Sequence, residues 1–235
     1  MSTHIALRCS DANAWSRCTL KPFLMQAITD KGYQIFEVTD AMQKGTDIHH
    51  YLEQDTPIEQ VPIEYHHAVK QIRRFKQAFI QKILHNKIDD SFKELKVSLH
   101  QETMDDYDLI IQGTVDLVLF SESTKTLAII DYKTGNFPVQ AKGNQQLMLY
   151  AYGVLNRLSF KQFTQIDHIY LAIINQDEGI NYAVYDTKDI IDNFNRVIDD
   201  VTNDPTFFVS ELTCLWCKGK EFCKAYQNEL NRKGD

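Results

Sequence analysis

Between residues 40 and 201 the apolar positions follow two rhythms, one helical and one of strands. "DAMQKGTDIHHYLEQ", residues 40–54, predicts a helix with Gly45 near its start. In "IEYHHAVKQIRRFKQAFIQKIL", residues 63–84, Ala68, Ile72, Phe75, Phe79 and Ile83 fall at three- and four-residue steps. That period predicts an amphipathic helix with a basic outer face. The rhythm then changes. "ELKVSLHQET" alternates, "MDDYD" reads as a turn, and "LIIQGTVDLVLF" and "TLAIIDYK" are runs rich in β-branched residues. Three consecutive strands joined by short turns are expected. "NQQLMLYAYGVLN" reads as a helix, "IDHIYLAIIN" and "INYAVYD" as two more strands, and "TKDIIDNFNRVIDDV" as a closing helix. Helices before, between and after a central sheet predict a mixed α/β sandwich.

Composition narrows the class. The 235 residues show no internal repeat or Pro/Gly-rich linker, which favours one domain over 1–235. Apolar content of 43% and charged content of 24% are those of a soluble globular chain. No apolar run approaches the roughly 20 residues needed to span a bilayer, so no membrane role is expected. "MSTHIALRCSDANAW" lacks the basic start and apolar stretch of a secretory signal, which points to the cytoplasm. The net charge of −7 argues against a dedicated sequence-reading DNA binder. It leaves room for an enzyme that acts on nucleic acid, because a carboxylate-rich metal site is itself acidic until cations arrive.

An acid two places before a lysine occurs three times: Glu94/Lys96, Asp131/Lys133 and Asp186/Lys188. Glu94 stands at the start of a strand with no obvious partner acid, and Asp186 or Thr187 suits a helix N-cap. Asp131 and Lys133 differ. Alternate strand residues share a face, so both point the same way, with Ile129 behind them. The preceding strand carries Asp116 between apolar neighbours, where a carboxylate is costly unless paired or coordinating. If the two strands form a hairpin, Asp116 and Asp131 converge, and Lys133 stands beside a site able to hold Mg²⁺ or Mn²⁺ through oxygen ligands. Such ions stabilise charge on a phosphodiester and activate water, and the lysine can orient that water. Gln146 and Tyr150, four residues apart on a predicted helix, share one face downstream.

The ordered run "GTVDLVLF", "AIIDYKTG", "QQLMLYAYG" resembles the RecB-type nucleases of the PD-(D/E)XK superfamily. That group includes the AddB nuclease domain, the CRISPR spacer-acquisition nucleases and several phage-encoded exonucleases. Its pattern is G-x-x-D, then (D/E)-x-K, then Q-x-x-x-Y. Asp116 matches the first, Asp131 and Lys133 the second, Gln146 and Tyr150 the third. The resemblance implies a restriction-endonuclease-like mixed sheet flanked by helices, with a nuclease core over about 37–203. It also implies a helical histidine in a G-x-x-x-H setting, which Gly45 and His49 fit, so His49 joins Asp116 and Asp131 as a candidate metal ligand. Glu102 is a further candidate acid.

Five cysteines remain. Cys214, Cys217 and Cys223 crowd into "CLWCKGKEFC", and Cys9 and Cys18 lie near the N-terminus. A disulfide framework is not expected in a reducing compartment. Structural zinc and iron–sulfur sites both want four ligands, and Cys18 is the natural fourth. A remote first cysteine with a C-terminal C-x2-C-x5-C cluster is also the arrangement of the iron–sulfur RecB-like nucleases. The resemblance therefore implies a structural [4Fe–4S] cluster on Cys18, Cys214, Cys217 and Cys223, joining the two ends of the chain, with zinc as the alternative. Lys218, Lys220 and Lys224 around it could touch a DNA backbone.

Together these features predict a Mg²⁺- or Mn²⁺-dependent exonuclease hydrolysing DNA ends in recombination, repair or phage DNA processing. Its partner would be single- or double-stranded DNA and, beyond that, a recombination, annealing or helicase protein. No G-x-x-x-x-G-K-[ST] loop for an NTPase is present. Two alternatives stand beside it: a flap or structure-specific endonuclease with the same site, and a non-catalytic DNA-binding or scaffold module on the same fold.

Overall fold

The computed structural model describes residues 3–34, 38–103, 107–158, 166–203, 205–215 and 217–233. It builds a mixed central sheet with helices on both faces, the predicted class. The strands are β1 (Thr3–Arg8), β2 (Asp90–Thr103), β3 (Tyr107–Ser121), β4 (Thr126–Lys133), β5 (His168–Asn175) and β6 (Gly179–Tyr185). Their order is β1-β3-β4-β5-β6, with β2 paired to β3.

The helices are α1 (Ala12–Trp15), α2 (Lys21–Asp30), α3 (Asp40–Glu53), α4 (His66–Leu84), α5 (Gln145–Leu155), α6 (Thr187–Thr202), α7 (Glu211–Leu215) and α8 (Lys224–Lys233). The expected helix over 63–84 is realised from His66, after a 3-10 turn at Ile63–Tyr65. Asp186 caps α6 in a reciprocal capping box with Asp189, which accounts for that acid–lysine pair by structure alone. Five elements lie outside the sequence expectations: β1, α1, α2, α7 and α8. In β1, Ile5 and Leu7 face the core while Ala6 and Arg8 are exposed. No described helix is long and apolar enough to cross a membrane.

The sheet has a core on each side. On one face α5 and α6 pack over Val97, Ile111, Val115, Leu127 and Ile129. On the other, α3 and α4 cover Leu117, Leu119, Ala128, Ile130 and Ala172. Burying each Ile72-, Phe79- or Leu84-sized side chain of α4 there stabilises by roughly 1.5–3 kcal/mol.

The pairing of β3 positions the site. β2 pairs with β3 along almost its whole length. On the opposite edge, β1 runs parallel to residues 107–112 and β4 antiparallel to 117–121. Residues 113–116 therefore lie in the fork between β1 and β4.

Both β2 and β3 also exchange their faces at this level. Val97 and Val115 face α5, yet Leu117 faces the core under α3 and α4, and Lys93 reaches the carbonyl of Glu53 on α3. The exchange coincides with Glu94, whose backbone is left-handed at φ 47°, and with Asp116 opposite it.

Candidate active site

Asp116 sits one step beyond the last β3–β4 pair, Leu117 with Ile130. Its Oδ2 accepts a 2.6 Å hydrogen bond from the backbone N–H of Tyr132, so the carboxylate fills the place where the ladder opens. Across the fork, Asp131 and Lys133 lie on the α5 face of β4. Lys133 Nζ stands 2.8 Å from Asp131 Oδ2 and donates to Gln146 Oε1 at 3.1 Å. Gln146 Nε2 donates to Asp131 Oδ1 at 2.7 Å and lies 3.1 Å from Tyr150 Oη. Four of the residues singled out in the sequence thus form one chain of contacts. Asn144 helps by accepting from Leu147 N at the start of α5, which fixes where the helix presents Gln146.

Two glycines of the sequence motifs have steric reasons. A Cβ on Gly113 would lie 2.7 Å from Tyr150 Cε1 and 2.8 Å from Cys9 Cβ, so only glycine lets β3 rest against them. A Cβ on Gly45 would come within 3.2 Å of Thr134 Oγ1, directly after Lys133. That close approach brings α3 down onto β4 and delivers His49. Its Nδ1 lies 3.4 Å from Asp116 Oδ1, and its ring meets the edge of Tyr132 at 6.1 Å.

One ligand atom each of His49, Glu94 and Asp116 gathers within 4.8 Å of the others. Glu94 is the residue that the sequence gives no reason to choose. Its left-handed backbone breaks the β2 ladder opposite Asp116 and turns its carboxylate toward the histidine. Asp131, expected among the metal ligands, lies outside that group and is held by Lys133 and Gln146. The side chain of Glu102 is outside the described residues.

The electrostatics match a cluster of acids in want of a cation. Burial, then the charge of Asp116, pushes the Glu94 carboxyl up to about 7. Burial likewise raises Asp131, with Lys133 pulling it down and Asp116 pushing it up. Burial alone would lower the His49 imidazole, yet the hydrogen bond and charge of Asp116 hold it above the ordinary histidine value. Asp131 Oδ2 is a buried oxygen with no aligned hydrogen-bond donor, because Lys133 meets it out of line. Carboxylate oxygens and one imidazole in this arrangement suit a hard divalent ion, and such an ion would relieve the mutual repulsion of the acids.

Elsewhere, Cys18, Cys214, Cys217 and Cys223 line one cleft, walled by Leu24, Phe207, Phe208 and Val209. Burial raises the Cys18 thiol. A backbone hydrogen bond at Phe208 opposes that rise, and Cys217 and Cys223 add to it. Among the described residues no three of these sulfurs fall within 4.8 Å of one another. Cys9 is elsewhere, fully buried against Gly113 with its thiol pushed up to about 12.

A profile of a family of proteins of unknown function, DUF2800, matches residues 4–233. The chain belongs to the DUF2800 family. No curated protein matches it. Among solved structures, a phage-related exonuclease from Haemophilus somnus 129PT is 13% identical at a TM-score of 0.39, covering 84% of this chain and 92% of that one. A provisionally assigned exonuclease from Eubacterium rectale is 10% identical at a TM-score of 0.41, covering 95% and 88%. At these scores the likenesses carry no weight for activity in this DUF2800 chain.

Proposed function

We propose that this DUF2800 protein is a metal-dependent deoxyribonuclease that hydrolyses DNA from its ends, built as one unit over 1–235 with a nuclease core over about 37–203. The observation that carries the reading is the meeting of two groups across one strand fork: His49, Glu94 and Asp116 on one side, Asp131, Lys133, Gln146 and Tyr150 on the other. The resemblance of G-x-x-D, D-x-K and Q-x-x-x-Y to RecB-type nucleases, with their restriction-endonuclease-like fold, supports it.

His49, Glu94 and Asp116 would hold a Mg²⁺ or Mn²⁺ ion, with Asp131 Oδ2 as a further oxygen. A divalent ion there stabilises charge on a phosphodiester and lowers the pKa of bound water. Lys133 presents its ammonium to the attacking water or to the developing charge on phosphorus. Gln146 holds Lys133 and Asp131 in one orientation by bonding both, and Tyr150 fixes Gln146 in turn.

The four cysteines would carry a structural [4Fe–4S] cluster. Support comes from the four thiols lining one apolar-walled cleft and from the resemblance of their spacing to that of the iron–sulfur RecB-like nucleases.

The test uses anaerobically purified protein and linear DNA labelled at one end, with Mg²⁺ or Mn²⁺, alongside EDTA and Lys133→Ala lanes. Metal-dependent release of the end label by the wild type, absent from Lys133→Ala, is expected. Cutting of closed circles or flaps instead would make it an endonuclease, and intact DNA in every lane would leave a binding module. Iron and zinc analysis of the same preparation decides the cysteine site.

A further inference from the structure

A cavity lies beside the candidate metal-ligand group rather than in it. It encloses ≈ 650 Å³ and is lined by Arg8 and Ser10, by Lys96 and Ser98 on β2, by Gln112 to Thr114 on β3, and by Arg157 beyond α5. Its three ionisable side chains other than Tyr150 are cations, and among the described residues no carboxylate lines it. In a chain with 32 acids and 25 basic residues, that segregation marks it out.

Register shows how the cavity is built. Arg8 pairs with Gln112, Gln112 with Ser98, and Thr114 with Lys96. All are even-numbered positions opposite the buried odd ones Leu7, Val97, Ile111 and Val115, so they share one sheet face. That face is the side on which α3 and α4 pack further up the sheet. Here Arg8, Lys96, Ser98 and Gln112 are exposed. Past Leu95 and Val115 the ladder breaks at Glu94 and Asp116, two of the three residues of the candidate metal group. Arg157 closes the outer wall by donating to the carbonyl of Lys96. Gly113, lacking a side chain, leaves Tyr150 as part of the lining.

We infer that this trough is the track for one DNA strand, with Arg8, Lys96 and Arg157 gripping successive phosphates so that the strand runs along the sheet into the site between Glu94 and Asp116. The inference rests on the nuclease reading above. On β3 the lining runs from Gln112 to Thr114, and Asp116 lies two residues, roughly 7 Å of strand, further on. Apart from the buried Tyr150, the described lining offers charges, hydroxyls and an amide, so recognition is of the backbone and indifferent to base sequence.

The competing surface is the basic outer face of α4. The deciding experiment compares Arg8→Gln/Lys96→Gln with a charge-matched pair outside the trough, Lys70→Gln/Lys87→Gln. Anisotropy of a fluorescein-labelled single-stranded 20-mer is titrated in EDTA, where no cleavage occurs, at several salt concentrations. The trough variant is expected to bind at least about tenfold more weakly, with a salt slope shallower by about 1.4, the release of two phosphate contacts on a single strand. The control pair is expected to match the wild type. Unchanged affinity and slope in the trough variant, or an equal loss in both pairs, overturns the track. Adding Arg157→Gln guards against compensation and is expected to deepen the loss. Because binding is read without metal, a protein that binds through the trough and never cleaves defeats the nuclease reading and leaves the track standing. Metal-dependent cleavage with trough-independent binding does the reverse.

Discussion

The strand fork and the cysteine cleft are both places where distant parts of the chain meet, but they are held together differently. At the fork the protein supplies every contact itself. Asp116 is bonded to a backbone N–H, Asp131 to Gln146 and Lys133, and two glycines admit the close approaches that align them. At the cleft, four thiols face one another across apolar walls, and Phe208 and Leu215 beside them are more than half exposed, at 53% and 54%. One site is preorganised by packing and hydrogen bonds. The other is tied by hydrogen bonds of Thr19 and Leu20 to Thr206 and by Gly219 resting on α2, and on the reading proposed above it would draw further cohesion from a group held by the thiols.

The largest effect expected is at the fork. Asp116→Asn keeps the size of the side chain but removes a charge shared by His49 and the backbone of Tyr132. Cleavage of end-labelled DNA is expected to fall by about 10³-fold or more, while circular dichroism and melting stay close to wild type. A variant that unfolds would mean that the acid is structural, and the contrast between the regions would fail.

Next comes the cleft. Cys217→Ser should strip the bound metal and release 205–233 to limited proteolysis, a local loss of several kcal/mol. Hydrogen exchange of β3 and β4 is expected to stay protected, because their contacts do not pass through the thiols. Loss of protection across the sheet would show the two regions to be one cooperative unit.

Smaller again is Gly113→Ala. The new methyl would meet Tyr150 and Cys9 at 2.7 and 2.8 Å, an overpacking cost of about 1–3 kcal/mol. Denaturant melts would measure it. Tyr150 would also shift against Gln146, so activity should drop more than stability alone explains. A neutral result would mean that the strand has slack at this point.

These residues also show what could be read beforehand. Asp131, Lys133, Gln146 and Tyr150 were legible because strand parity and a four-residue helical step place them together locally. Asp116 was legible as an acid between apolar neighbours. Glu94 was not, because it looks like an ordinary exposed strand residue, and its partner acid is 22 positions away. Only its left-handed backbone, which no side-chain pattern announces in a glutamate, brings it to His49. β1 was missed because its signal is two buried positions, Ile5 and Leu7, in a six-residue strand. Without β1 there is no fork, and the trough beside it cannot be drawn from the sequence.

The smallest effect tests whether the acids at the fork really want a cation. In metal-free protein Glu94 is pushed up to about 7 by burial and by Asp116, above its ordinary value of 4.5. A carboxyl with a raised folded-state pKa stabilises the fold fully below pH 4.5, and that contribution is lost as pH climbs to 7. The residue is half-buried, so solvent screening trims the loss to about 1 kcal/mol. The EDTA-treated wild type should therefore soften between pH 5 and 8 relative to Glu94→Gln. Added Mg²⁺ should restore the wild type at pH 8 and leave the variant nearly unmoved, since proton and cation compete for one carboxylate. Parallel pH curves for the two proteins would remove Glu94 from the metal group and return the site to Asp116, Asp131 and His49. Divergence that Mg²⁺ erases would instead make the left-handed turn at Glu94 part of how the fork is built to take an ion.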